Sequence, residues 1–168
     1  MELTKKERLG FIYQLRILEA LYPDDADHYA KHRTALEEGY ALQYDWLLEN
    51  VADDMSEAKC RQVLDILDMY RAITFRLSEM PADDPLREHH LAKFTGFDGN
   101  NETRQMAYAR YFVVDLDRYS ELRQDEYPYF NSHCPMLSTY ETMLERWNAA
   151  VHKHKLTRDE VATILGAE

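Results

Sequence analysis

Apolar residues recur along most of the chain at the three- and four-residue steps of amphipathic helices, and no hairpin signal separates them. The first such run opens at Thr4-Lys5-Lys6-Glu7, a capping box in which the threonine hydroxyl and the glutamate carboxylate each satisfy an orphan amide. Leu9, Ile12, Leu15, Leu18 and Leu21 follow at helical spacing and predict one buried stripe that Pro23 ends. Asp24 or Asp25 is placed to cap a second helix, and Gly39 to close it in the left-handed conformation. The segment Tyr40 to Asn50 alternates briefly but also fits a short helix, and helix is the expectation taken here.

Ser56 predicts the cap of a core helix carrying Val63, Ile66, Leu67, Tyr70, Ile73 and Leu77, which stops before Met80-Pro81. From Pro81 to Asn101 two prolines, Gly96, Gly99 and several aspartates predict loop around one short helix near Leu86 to Leu91. Asn100 or Asn101 then caps a long helix through Met106, Ala109, Phe112, Val113, Leu116 and Tyr119. After a loop from about Gln124 to Pro135, Met136, Tyr140, Met143, Leu144, Trp147 and Val151 mark another helix. The second capping box, Thr157-Arg158-Asp159-Glu160, starts the last. The fold class is therefore all-α, a single compact array of about seven helices with no sheet. No repeat or Gly/Ser linker divides residues 1–168.

Composition sharpens this picture in three ways. At 168 residues with 45% hydrophobic and 12% aromatic content, the chain can bury a core without staples. A formal net charge of −11 repels phosphate backbones, so nucleic acid is not an expected partner. The basic clusters Lys5-Lys6 with Arg8 and His152-Lys153-His154-Lys155 are too short to change that. Two cysteines, Cys60 and Cys134, imply no disulfide framework and fit a reducing compartment. The start Met1 to Glu7 leads into amphipathic sequence rather than a secretory apolar run, and the longest apolar run, near Tyr111 to Val114, is far below a membrane span. A cytoplasmic protein without membrane association is expected.

Candidate chemistry is sparse. Gly96-Phe97-Asp98-Gly99-Asn100-Asn101-Glu102 superficially suggests a calcium loop, but counting Asp98 as position 1 puts Thr103 where glycine belongs and Ala109 where the bidentate glutamate belongs. A turn leading into a capped helix explains it better. Asp25, His28 and His32 share a helical face and are weak metal candidates with no fourth ligand fixed, so no metal or other cofactor is implied. Ser132-His133-Cys134 invites a nucleophile, yet chain neighbours seldom activate one another. If the two punctuated loops meet, Asp98, Asn100, Glu102, Asn131 and His133 form a candidate polar site. The aromatic run Tyr127-Pro128-Tyr129-Phe130 either plugs the core or anchors an interface, with Tyr44 and Trp46 as further interface candidates.

Gly39-Tyr40-Ala41-Leu42-Gln43, Ile66-Leu67-Asp68-Met69-Tyr70, Phe94-Thr95-Gly96-Phe97-Asp98-Gly99-Asn100, Phe130-Asn131 and the segment from Tyr140 to Trp147, taken in order, resemble the YfbU family of bacterial proteins over nearly the whole chain. The resemblance implies a small, helical, cytoplasmic protein and carries no catalytic or binding residue onto these positions. The expected function is a non-enzymatic, self-associating interaction or regulatory protein, a homo-oligomer open to a protein partner. The alternative is a small-molecule-binding or hydrolytic protein with a polar pocket between helices.

Overall fold

The computed structural model describes residues 1–167. They are all-α, without strands or sheet, and gather into two compact units, Met1–Asp54 and a second that begins at Met55. No glycine, proline or serine occurs in the stretch 49–54 before the division, so composition carries no linker signal there.

In the first unit, α1 (Lys5–Leu21) and α2 (Ala26–Glu38) fold back on one another through the 3₁₀ turn Pro23–Asp25. Both halves of the Thr4/Glu7 capping box form, and Gly39 closes α2 at φ 77°. Asp25 occupies the α2 cap position, but its side chain makes no capping bond. Tyr40 to Asn50 is helical in the tighter 3₁₀ form, over Ala41–Leu48. Ile12, Leu15, Leu36 and Tyr44 make a small core, flanked by Leu3, Leu18, Tyr29 and Leu47. Arg33 ties the helices together by pairing with Glu19 at 2.6 Å and Glu37 at 2.8 Å, while Arg8 donates to the Leu36 carbonyl at 2.9 Å.

The stripe expected on α1 is not buried along its length. Leu9 and Leu21 are exposed, although Ile12 and Leu15 between them are buried. Each step of three residues lags a 3.6-residue turn by about 60°, so five such residues wind some 240° around the helix. Only the middle of the series faces α2.

The second unit is built on α3 (Glu57–Glu79), whose first turn is capped by the Ser56 hydroxyl. Val63, Ile66, Leu67, Met69, Tyr70, Ala72, Ile73 and Leu77 are all buried, because α4 (Thr103–Arg110), α5 (Leu137–Ala149) and α6 (Arg158–Leu165) pack around it. The short helix expected near Leu86 to Leu91 is a 3₁₀ turn at Pro85–Glu88, capped by Asp84, which also pairs with Arg158 at 2.7 Å. Neither Asn100 nor Asn101 caps α4; Glu102 holds that position, since both asparagines turn back to Asp98. The helix continues into a π turn, Tyr111–Asp115, which shifts its later side chains off the expected stripe and leaves Leu116 exposed. The Thr157/Glu160 capping box opens α6, and Gly166 closes it.

Candidate functional site

The two punctuated loops of the second unit do meet. Phe97 N–H donates to the Phe130 carbonyl at 2.9 Å and Ser132 N–H to the Phe97 carbonyl at 3.1 Å, forming an isolated parallel bridge between Phe97 and Asn131. Phe130 and His133 adopt left-handed backbone conformations at φ 55° and 57°, which let the second loop wrap the first. Gly96, at φ 93°, passes directly beneath the Phe130 carbonyl, where no side chain would fit.

Behind the bridge the loops insert Phe94, Phe97 and Phe130 against Tyr70 of α3 and Tyr140 of α5, with neighbouring ring centroids 5.3 to 5.8 Å apart. These are tilted and edge-on arrangements of the kind aromatic quadrupoles favour. The Tyr140 hydroxyl donates to the Gly96 carbonyl at 2.9 Å, and burial pushes both tyrosine phenols well above their ordinary range. They are hydrogen-bonded core groups held protonated.

The proposed polar residues are brought together as well, but their oxygens are already spent. The Asp98 carboxylate accepts from Asn100 N–H at 3.2 Å and from the Asn101 side-chain amide. Glu102 accepts from Asp98 N–H at 3.0 Å, from Met136 N–H at 3.0 Å and from Leu137 N–H at 2.7 Å. The α5 cap residue Met136 supplies no side-chain cap of its own, so Glu102 caps that helix from a distant position in sequence. Asn131 Oδ1 accepts from Gly99 and His133 N–H, both at 3.0 Å. Asp98 and Glu102 are buried, whereas Asn100 and His133 are exposed. This is a polar clasp that satisfies loop amides, and it leaves neither carboxylate free to serve a substrate.

Hydrogen bonds, from the Asn101 side chain first and Asn100 N–H next, hold the Asp98 carboxyl below its ordinary value of 3.8. A carboxyl with a lowered folded-state pKa stabilises the fold above its unfolded pKa and loses that contribution as pH falls through the folded value. The denaturant midpoint of the natural chain should therefore fall more steeply below about pH 4 than that of Asp98→Asn, as read by urea titrations from pH 7 to 3. Parallel acid profiles would refute this role.

The remaining candidates separate by position. The Ser132 hydroxyl donates to the Cys134 carbonyl at 2.7 Å, and His133 accepts nothing from either neighbour, so no activated nucleophile is assembled there. His28 and His32 meet edge to face with ring centroids 4.6 Å apart. Burial, then the neighbouring His28, lowers the pKa of His32. With Asp25 they do not make a metal-ligating trio, and no such group occurs among the described residues.

Of the interface candidates, Phe130 (2% exposed) belongs to the aromatic core and Tyr44 (4%) to the core of the first unit. The sequence favoured the core over an interface for the aromatic loop and offered Tyr44 as a weaker interface candidate, and packing makes Phe130 and Tyr44 plugs. Tyr127 is half-buried, while Tyr129 and Trp46 are exposed, Tyr129 lying 5.6 Å from the Arg110 guanidinium.

Sequence reasoning missed an exposed apolar feature, the outward row Leu9, Tyr13, Ile17 and Leu21 on α1, at 47, 55, 58 and 65% exposure. The signal was present as a four-residue repeat interleaved with the three-residue repeat that was read instead. A cleft of about 580 Å³ in the same unit, lined by Lys31, Thr34, Tyr40, Gln43 and Trp46 among others, was likewise unmarked.

No helix among the described residues is long and apolar enough to cross a membrane. The profile of the YfbU domain matches residues 1–167. A UPF0304 protein of Methanocaldococcus jannaschii is 36% identical over 169 residues, an alignment covering 98% of this chain and 99% of that protein.

Proposed function

The chain belongs to the YfbU family, and we propose that it is a non-enzymatic cytoplasmic protein that works by self-association and by holding protein partners. The observation that carries this reading is the uneven distribution of exposed apolar side chains. Most of the large ones lie in the first unit, from Leu9 and Phe11 through Tyr40, Leu42 and Trp46 to Val51. Exposed apolar side chains concentrated in this way mark interaction surfaces, and Tyr and Trp are among the residues enriched at their centres. The acidic net charge supports protein rather than nucleic-acid partners.

The alternative of a small-molecule or hydrolytic pocket rested on Asp98, Asn100, Glu102, Asn131 and His133, and the engagement of the Asp98, Glu102 and Asn131 oxygens with loop amides weighs against it. Native mass spectrometry and sedimentation across a concentration series provide the test. The expected result is an assembly at an integral multiple of 19.9 kDa with no stoichiometric small-molecule adduct. A chain that stays monomeric at every concentration overturns self-association. A retained small mass at one per chain would overturn the non-enzymatic reading in favour of the pocket.

A further inference from the structure

We infer that the outward face of α1 is the self-association surface and that two copies pack there antiparallel about a two-fold axis. The inference rests on the self-association proposed above and adds its location, symmetry and partner, a second copy of this chain.

Leu9, Tyr13, Ile17 and Leu21 recur every four residues, so each leads the last by about 40° and the row spans some 120° of the helix surface. It lies opposite the buried pair Ile12 and Leu15, which makes α1 apolar on two faces although α2 covers only one. From Leu9 to Leu21 the row runs for about 18 Å.

The occupant is indicated by charge. Lys5 and Lys6 stand at one end of the row, and Asp24 and Asp25 stand just past the other; all four are exposed, and no ion pair among the described residues engages them. The nearby Arg8, Arg16 and Glu19 are already committed within the unit, to the Leu36 carbonyl, Glu37 and Arg33 respectively.

An isologous antiparallel pairing centred on position 15 sets Leu9 of one copy opposite Leu21 of the other and Tyr13 opposite Ile17. The same register carries Lys5 to Asp25 and Lys6 to Asp24, so apolar and charged positions match together. Parallel packing would instead set lysines against lysines and aspartates against aspartates. Gly10, exposed on this face with nothing near its Cβ position, lets a second helix backbone approach closely. Covering the row and its charged ends in both copies removes on the order of 1,000 Å², at the lower edge of specific interfaces, which fits a dissociable dimer.

The test measures the dimer dissociation constant by sedimentation at low ionic strength, where exposed charges are least screened, with helicity followed by circular dichroism. The variants are Ile17→Glu, Lys5→Glu/Lys6→Glu, Asp24→Lys/Asp25→Lys and the four-fold combination. Ile17→Glu and each charge pair should weaken the dimer at least about tenfold, and the combination should recover to within about threefold of the natural chain. Acidic residues in the first turn of α1 favour the helix, so weakening by Lys5→Glu/Lys6→Glu cannot be put down to lost structure.

If the natural chain dimerises and Ile17→Glu does not weaken it, the surface lies elsewhere: this inference falls and the functional reading stands. A combination no better than its parent pairs overturns the antiparallel arrangement. A natural chain that remains monomeric overturns both proposals.

Discussion

Gly96→Ala is expected to cost at least about 4 kcal/mol and to leave the second unit largely unfolded in moderate denaturant. At φ 93° an L side chain is strained by itself, and its Cβ would fall far inside contact distance of the Phe130 carbonyl group. The obstacle is backbone, so no rotamer change relieves it. The bridge between Phe97 and Asn131 must open, which breaks two backbone hydrogen bonds and draws Phe97 away from Phe94 and Tyr140 and Phe130 away from Phe94.

Urea unfolding followed by near-ultraviolet circular dichroism reads the effect directly. Gly10→Ala provides the contrast, because an added Cβ there meets nothing and α1 is helical throughout. Measured at concentrations where the chain is monomeric, that substitution should stabilise by about 0.5–1 kcal/mol. A Gly96→Ala protein that unfolds within 1 kcal/mol of the natural chain would show that the two loops are not held together as described.

The second large effect is expected at Glu102. Its carboxylate accepts from the Asp98, Met136 and Leu137 amides, and the last two are orphan donors at the start of α5. Alanine would leave three amides without a partner in a buried site. Each unsatisfied buried donor costs about 1–3 kcal/mol, so a loss on the order of 4 kcal/mol is expected after partial relaxation. Glutamine keeps the length and one acceptor oxygen but turns an amide NH₂ toward donors, and it should lose roughly half as much. Chemical denaturation of both variants checks the order. Equal stability of Glu102→Gln and the natural chain would mean that size, and not acceptance, is what the site requires.

If these expectations hold, the residues that looked most chemical are the ones that build the second unit. Asp98, Glu102 and Asn131 carry the polarity of a site, and each is occupied by backbone amides. The surface proposed for self-association lies instead on α1, where Tyr13 and Ile17 face outward although their residue types suggest a core.

The local grammar of the chain was legible because it depends on neighbours a few residues apart. Thr4 with Glu7, Thr157 with Glu160, Ser56 before α3, and Gly39 past the end of α2 all act where their spacing places them. Their hydrogen bonds close within one helical turn, so sequence distance and spatial distance coincide. The helical stripe of α3 was legible for the same reason: many helical partners bury it from several sides, so small errors in its angular placement did not matter.

Contacts made across long stretches of chain were not legible. Nothing near Glu102 in sequence announces that it caps α5, and nothing near Gly96 announces the Phe130 carbonyl above it. Tyr44 and Phe130 are aromatic like the exposed Trp46 and Tyr129, and only packing sorted plug from surface.

The sequence by itself determined an all-α chain, the helix ends that carry a local capping residue, and its membership of the YfbU family, because these follow from local hydrogen bonding, hydrophobic period and ordered motifs. The tertiary structure alone decided which apolar residues are covered, which carboxylates are consumed and which face of α1 is left outward. Each of those depends on what a distant segment brings to within a few ångströms, and periodicity along the chain carries no record of it.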